Sequence, residues 1–330
     1  MRKGLQIAIG IIISVALLIL AFSKINFADF IHTLKNTNII SLLCCVLFFG
    51  ISCIFRAFMW RITTGSVKKV GISTLFGGVM VGYMVNNILP LRLGEVFRAY
   101  YLASKCGFAK TYALSTVIIE RVLDVFFLGL LLLLSLFYGL NGLSFINSLI
   151  VLAAWAVIVI AAVFLMINLS WIGKLEKITF IPGRLLKVIK NFLAPLALLR
   201  QPRKILLLLT LSLFAWLTNY LAILSVVYYV VPVKFEAAMV LFLFINIGFL
   251  IPSSPGAIGV IQIAFLMALE PFGVPKAQAL AISLAFHLIF YLFTIGVGLP
   301  YFLWAHLKIS KGLNSINGEN EGHFPPAGAR

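Results

Sequence analysis

The chain has 330 residues, of which 62% are hydrophobic and 11% are charged. Soluble domains carry about 25% charged residues, so this composition excludes a soluble multidomain enzyme and a disordered chain. The 26 basic and 9 acidic residues give a net charge of +17. In so apolar a chain, basic residues point to loops that face anionic lipid headgroups rather than to nucleic acid. We therefore interpret the chain as an integral membrane protein that does not bind nucleic acid.

Several apolar segments have the length of about 20 residues that a helix needs to cross a bilayer. Two further segments, Ile72–Leu91 and Phe235–Ile251, are interrupted by proline and glycine, and a short apolar stretch, Ala257–Leu269, follows the second. Broken backbone at membrane depth survives only where protein or a wet cavity covers it. The six predicted spans are Leu5–Phe22, Ile39–Trp60, Tyr112–Tyr138, Phe145–Ile167, Ile205–Val231 and Ala277–Trp304.

The distribution of lysine and arginine among the loops predicts the orientation of the chain. If both interrupted segments enter the membrane and turn back, the loops with Lys68 and Lys105, the basic stretch Asn168–Lys204 and both termini share one side. The opposite side receives Gly139–Ser144, which carries no charge. We therefore predict an all-α integral membrane protein with about six transmembrane helices and two re-entrant broken segments. It would lie in the cell membrane with both termini in the cytoplasm.

The order of span, interrupted segment and span occurs twice, over residues 39–138 and 205–304. The two units would enter from opposite faces and form an inverted repeat within one membrane domain, residues 1–311, with a basic cytoplasmic linker over 168–204. Paired short segments broken by Gly and Pro are the best sequence pointer to a transporter site near the midplane. Residues 312–330 are polar and predict a disordered tail.

Within the linker, Pro182–Leu199 alternates basic and apolar residues. This pattern is typical of a helix that lies in the headgroup layer. An ordinary cytoplasmic helix is an equally open interpretation.

The strongest functional signal is a group of charges inside the third predicted span. Glu120 lies roughly 12 Å into it, and Asp124 follows one turn later on the same face, with Arg121 nearby. A charge at the bilayer centre costs about 2.5–3.5 kcal/mol, so these residues must pair or line a polar cavity. A structural ion pair that holds the bundle together is the alternative. Arg56, near the end of its predicted span, is interpreted as snorkelling to the interface.

The first interruption combines helix breakers with charge. Asn87 and Pro90 break the helix, and Arg92, Glu95 and Arg98 follow at intervals of three residues. The planar fork of arginine matches a phosphate group. Snorkelling to the cytoplasmic interface is the alternative for these residues.

The second interruption is a turn with two prolines and two glycines. After Pro252, the residues Pro255, Gly256 and Gly259 precede a short helix whose free N–H groups can bind an anion. A turn without a ligand is the alternative. Further along, Ser283, His287 and Tyr291 are spaced by four and form a polar stripe on the closing span. His287 is either a hydrogen-bonded structural residue or a proton relay.

Three motifs together resemble the transmembrane, flippase-type domain of the lysylphosphatidylglycerol synthase family, from about Leu5 to Lys308. They are Asn87-x-x-Pro90-x-x-x-Gly94-Glu95, Ile119-Glu120-Arg121-x-x-Asp124 and Pro252-x-x-Pro255-Gly256-x-x-Gly259. The resemblance implies a lipid with an anionic or glycosylated head. Many members have an acid where Gln262 stands and an arginine near His287. The soluble aminoacyl-transferase domain of the synthase members is not expected here. The residues that the resemblance implies are Asn87, Pro90, Arg92, Glu95, Arg98, Glu120, Arg121, Asp124, Pro255, Gly256 and Gly259.

These observations predict a lipid translocase rather than an enzyme. It would move a phospholipid or polyprenyl-phosphate-linked headgroup between leaflets through a polar midplane cavity. The alternatives are a membrane-embedded transferase, with Glu95 or Asp124 as general base, and a membrane subunit that recruits a separate lipid-modifying enzyme. The expected partners are membrane lipids with anionic phosphate headgroups, and a homo-oligomer stays open; no cofactor or metal is expected. Gln262, His287 and Tyr291 complete the candidate site.

Overall fold

The structure is a computed structural model that describes residues 27–65, 67–89, 93–138, 183–231, 234–249 and 255–320, together with Ile19 and Trp155. Every regular element in these ranges is a helix, which confirms the predicted all-α class. Three short 3-10 turns occur at Ala194–Arg200, Pro255–Ala257 and Glu270–Phe272. The helices are α1 (Phe27–Lys35), α2 (Ile39–Thr64), α3 (Ile72–Ile88), α4 (Gly94–Cys106), α5 (Lys110–Tyr138), α6 (Gly183–Leu193), α7 (Pro202–Val227), α8 (Lys234–Gly248), α9 (Val260–Leu269) and α10 (Lys276–Asn320).

The long apolar runs of the sequence form the long helices. α2, α7, the first part of α10 up to Trp304, and the kinked segment Pro255–Phe272 are each long and apolar enough to cross a membrane. The last of these contains the short apolar stretch Ala257–Leu269, which follows the second interrupted segment. The predicted spans Leu5–Phe22 and Phe145–Ile167 lie outside the described residues apart from Ile19 and Trp155, so the number of crossings stays a prediction.

Large apolar side chains cover the outer faces of these helices. Ile40 and Leu47 on α2 and Leu206 on α7 are each at least 60% exposed. Charged side chains, in contrast, lie buried inside the bundle, as Arg56 and Glu120 show. This arrangement suits lipid as the surrounding solvent, because charges in hydrocarbon are expensive and apolar side chains are not.

Both predicted interruptions are breaks in the helices. α3 ends at Ile88, and Leu89 is in the extended conformation before α4 begins. α8 ends at Gly248, and α9 begins after the turn Pro255–Ala257 and Gly259, whose φ of 87° is left-handed. Pro90, Arg92 and Pro252 lie outside the described residues. Whether either interrupted segment re-enters the membrane stays a prediction.

The packing partners of the two units correspond to one another. The opening helices α2 and α7 pack together, and each interrupted helix packs on the closing helix of the other unit, α3 on α10 and α8 on α5. Within each unit, the short helix after the break packs on the helices before and after it. In the first unit α4 packs on α3 and α5, and in the second unit α9 packs on α8 and α10. The two units thus make equivalent contacts, while the inverted repeat over residues 39–138 and 205–304 stays a prediction.

The basic linker packs on the bundle, and the last helix extends past the end of its predicted span. Leu193 and Leu196, at the end of α6 and in the turn after it, pack on Ile119 of α5. Leu185 and Val188 at the start of α6 stay about half exposed, so both interpretations of this helix stay open. α10 runs to Asn320 and thus overlaps the beginning of the predicted tail 312–330, whose last ten positions lie outside the described residues.

Candidate functional site

Helix α5 directs two carboxylates into the bundle. Glu120 and Asp124 are one turn apart and therefore lie on the same face of the helix. Glu120 is 3% exposed, and the side chain of Asp124 is 16% exposed. The two acids face other protein groups rather than lipid.

Arg56 of α2 binds both acids. Its Nη1 lies 2.8 Å from Glu120 Oε1 and 3.2 Å from Asp124 Oδ2, and its Nη2 lies 3.1 Å from Asp124 Oδ1. The interpretation of Arg56 as a snorkelling residue is wrong. α2 continues to Thr64, so Arg56 is two turns from its end, and the residue is only 6% exposed.

Arg98 of α4 reaches the other oxygen of Glu120. The distance from Arg98 Nη2 to Glu120 Oε2 is 2.6 Å, and the guanidinium group lies 4.1 Å from the ring centre of Trp60. The indole N–H of Trp60 in turn donates to Thr116 Oγ1 over 2.8 Å. Arg98 is 3% exposed, so the alternative that it snorkels to the interface is wrong for this structure.

Arg121 and Glu95 form the open edge of the site. Arg121 Nη2 lies 3.0 Å from both Glu120 Oε1 and Asp124 Oδ2, whereas its Nη1 lies 3.5 Å from Glu95 Oε1. The side chains of Arg121 and Glu95 are 40% and 31% exposed. We call the whole set the charge cluster: Arg56, Glu95, Arg98, Glu120, Arg121 and Asp124. Its three guanidinium groups balance its three carboxylates.

A close approach of α4 to α3 brings Glu95 and Arg98 to this cluster. The N–H of Gly94 donates to Asn86 Oδ1 over 2.7 Å. A Cβ atom on Gly94 would overlap the carbonyl oxygen of Gly82. Glycine is therefore required at position 94 because of the space that the neighbouring backbone occupies.

A second polar set joins α10 to both interrupted segments. Asn87, near the end of α3, donates from Nδ2 to Thr294 Oγ1 over 2.6 Å. The hydroxyl of Tyr291 donates to the backbone oxygen of Asn87 over 2.8 Å. This bond gives a partner to a carbonyl at the end of a helix, where the helix itself supplies none.

The same set fixes the turn before α9. The N–H of Gly259 donates to Gln262 Oε1 over 2.7 Å, and Gln262 Nε2 lies 3.1 Å from His287 Nδ1. Gly256 has a φ of 68°, and a Cβ atom there would overlap the hydroxyl of Tyr291. We call this set the polar bridge: Asn87, Gln262, His287, Tyr291 and Thr294, with the backbone of Gly256 and Gly259.

The buried end of the charge cluster, around Glu120, is closely packed. The crevice beside Glu120, lined by Trp60, Thr116 and Leu208, is too narrow to hold a water molecule. The carboxylates of the charge cluster are instead paired with its guanidinium groups. An open polar midplane cavity, as we predicted, would require these pairs to separate.

The structure brings most of the predicted site residues together in two groups, while their functional role stays a prediction. Glu95, Arg98, Glu120, Arg121 and Asp124 meet in the charge cluster, and Asn87, Gly256, Gly259, Gln262, His287 and Tyr291 meet in the polar bridge. Pro255 begins the turn before α9, whereas Pro90 and Arg92 lie outside the described residues. Ser283 is buried but donates to Leu280 O of its own helix. In the described ranges, no group of three or more His, Cys, Asp or Glu side chains could hold a metal ion.

Sequence reasoning missed three contributors. Arg56, like Glu120, is a charge inside an apolar run. The predicted span ends at Trp60, whereas the helix continues to Thr64, so Arg56 lies deeper in it than expected. Trp216 of α7 donates from Nε1 to Asp124 Oδ1 over 3.1 Å, and Thr294 accepts from Asn87. No sequence pattern marks these two residues, because their partners lie far away along the chain.

Comparison with known proteins places this arrangement in a family. Residues 7–298 match the family model described as "Lysylphosphatidylglycerol synthase TM region". The chain is similar to the UPF0104 membrane protein MJ1595 of Methanocaldococcus jannaschii, at 26% identity over 91% of this chain and 95% of the relative. It is also similar to the UPF0104 membrane protein MJ1078 of the same organism, at 26% identity over 69% of this chain and 96% of the relative. The family match spans most of the chain and confirms the resemblance found in its motifs, so the protein belongs to the family of the lysylphosphatidylglycerol synthase transmembrane region.

Proposed function

We propose that this membrane protein moves a lipid with a phosphate-bearing headgroup between leaflets, and that the charge cluster is the polar site that the headgroup visits. The lipid is a phospholipid or a polyprenyl-phosphate-linked lipid, and the protein acts in the cell membrane with both termini in the cytoplasm. Family membership and the buried charges support a role with membrane lipids, because charges within membrane segments are costly and usually mark a transport path or a binding site.

The observation that carries the proposal is the open edge of the charge cluster. Arg56 and Arg98 are almost fully buried, and short contacts to Glu120 occupy them. The Arg121 side chain is instead 40% exposed, and among the described residues one of its two terminal nitrogens has only Glu95 at 3.5 Å. A phosphate oxygen at this position would form a shorter, charge-assisted bond of about 2.7–2.9 Å.

The buried contacts of Arg121 fix the direction of its exposed side. Glu120 and Asp124 hold Nη2 of Arg121 at 3.0 Å on the buried side, so Nη1 projects toward Glu95. A headgroup phosphate that takes Nη1 from Glu95 leaves the buried pairs intact. Binding at the edge therefore does not require the cost of breaking a buried ion pair, which reaches about 3–5 kcal/mol.

The open edge of the charge cluster lies next to the first helix break. Glu95 is in the first turn of α4, directly after the interruption that follows α3. A break of this kind leaves backbone groups that need polar partners, which makes it a suitable entry for a hydrated headgroup. Passage of the headgroup beyond the edge then requires the two interrupted segments to move apart.

A flipping assay tests the proposal. The purified protein is placed in liposomes with a headgroup-labelled phospholipid, and the label in the outer leaflet is reduced chemically, so that flipping appears as loss of the protected fraction. We expect Arg121→Ala to lower the flipping rate about tenfold or more, since a hydrogen bond to a charged group contributes about 1.5–3 kcal/mol. Glu120→Gln should lower the rate as well, because it weakens the contacts that hold all three arginines in place.

The matched control is Arg61→Ala, which removes an exposed arginine in the last turn of α2. It should flip lipid at the wild-type rate. Equal rates for the wild type, Arg121→Ala and Glu120→Gln would remove the charge cluster from the mechanism. A new covalent lipid product, seen by mass spectrometry only when the protein is present, would favour the transferase alternative instead.

A further inference from the structure

We propose that His287 binds the proton that releases the polar bridge, so that protonation of this one side chain opens the translocation site. The consequence for transport depends on the proposed function, whereas proton binding at His287 does not. The hydrogen bonds of the bridge start at a donor whose identity is certain.

That donor is the backbone N–H of Gly259. It lies 2.7 Å from the side chain of Gln262, and a backbone N–H can only donate. The atom of Gln262 that it meets must therefore be the oxygen Oε1. This contact fixes which way the amide points.

The amide in turn fixes the state of His287. With Oε1 on Gly259, the NH₂ group of Gln262 faces His287 Nδ1 at 3.1 Å. An amide NH₂ can only donate, so Nδ1 must be an acceptor without a proton. The neutral ring then carries its proton on Nε2.

A second proton on His287 is incompatible with this chain of bonds. Protonated Nδ1 would face the NH₂ group of Gln262, two donors in contact. If the amide turned over to present its oxygen, its NH₂ group would face the N–H of Gly259 instead. In the first case the hydrogen bond between Gln262 of α9 and His287 of α10 is lost, and in the second case the bond that ties Gly259 to Gln262 is lost.

Within the part of the chain that the structure describes, the groups around His287 offer the added charge no partner. Charged side chains of α4, Glu95 and Arg98, contact the charge cluster instead, and no charged side chain of the described residues acts on His287. The titratable group beside it is Tyr291 of the same helix, with ring centres 5.0 Å apart. The elements that pack on α10 contribute neutral residues: Phe30 of α1, Phe49 of α2, Asn87 of α3, Gln262 of α9 and Gly256 of the turn.

The position of His287 extends the effect to both interrupted segments. His287 is 6% exposed and meets Gln262 in the first turn of α9. One turn further along α10, Tyr291 holds the end of α3 through Asn87 and also abuts Gly256. Movement of the turn away from protonated His287 would therefore remove the support that keeps the two segments together at Tyr291.

Nitrogen NMR tests the proton site without reference to transport. The chain has four histidines, and replacing His32, His306 and His323 by asparagine leaves His287 as the one labelled ring. We expect the spectrum at neutral pH to show a proton on Nε2 and none on Nδ1. In Gln262→Glu, a carboxylate replaces the NH₂ donor, and we expect His287 to carry both protons at the same pH. A neutral ring with its proton on Nδ1, or no difference between the two proteins, would overturn the proposal.

The flipping assay at a series of pH values tests the consequence. The wild-type rate should rise about tenfold for each unit of acidification while His287 is mostly neutral, because the protonated fraction rises by that factor. His287→Gln should remove this dependence, and Gln262→Glu should be fast already at neutral pH. A pH profile that is the same in the wild type and His287→Gln would overturn the switch. The expected NMR result without any lipid flipping would instead refute the proposed function and leave the proton site standing.

Discussion

Replacement of Arg56 by glutamine tests whether the charge cluster holds the bundle together. Arg56 makes three short contacts, one to Glu120 and two to Asp124. Its loss leaves a buried cluster with two guanidinium groups and three carboxylates. Removal of one partner from a buried ion pair costs about 3–5 kcal/mol. Because Arg121 still lies 3.0 Å from both acids, we expect a loss at the lower end, about 3 kcal/mol in the free energy of unfolding.

The measurement is reversible unfolding in mixed micelles with increasing SDS, followed by tryptophan fluorescence. Trp60 and Trp216 contact the cluster and serve as its reporters. A double-mutant cycle with Asp124→Asn isolates the pair. Since the double variant removes one charge of each sign, it should be more stable than the sum of the two single losses predicts, by about 1–3 kcal/mol.

The matched control for this experiment is Arg61→Gln, at an exposed position on the same helix. An exposed substitution of this kind changes the unfolding free energy by about 0.5 kcal/mol or less. If Arg56→Gln is no more destabilising than Arg61→Gln, or if the double-mutant cycle shows no coupling, the charge cluster does not stabilise the fold and our reading of its geometry is wrong.

Two further substitutions test other parts of the site by the same unfolding measurement. Gly256→Ala should cost clearly more than Gly273→Ala, because both positions have left-handed φ angles but only the Cβ at 256 would collide, with Tyr291, whereas 273 has open space; equal losses would show that the contact with Tyr291 does not matter. Trp216→Phe removes the donor to Asp124 and keeps the aromatic ring, so a loss of about 1–2 kcal/mol is expected, and an unchanged stability would exclude that hydrogen bond.

The sequence was sufficient for the class of protein and for the places where its helices break. Composition alone indicates a membrane protein, since 11% charged residues cannot keep a surface of this size in water. The breaks after Ile88 and Gly248 follow from proline and glycine, whose backbone properties act locally. Glu120 and Asp124 were identified because a charge in an apolar run is costly wherever the helix is placed.

The partners of these residues were decided only by tertiary structure. Arg56 was assigned to the interface because the sequence does not mark where a long helix ends within one or two turns. That Trp216 meets Asp124, and that Tyr291 meets Asn87 some two hundred positions earlier, depends on how α7 and α10 pack against the other unit. Side chains from distant segments meet only once those helices are assembled, because hydrogen bonds and ion pairs act over a few ångströms. Local patterns therefore determined the helices and the buried charges, and packing alone decided which charges pair and which edge stays open.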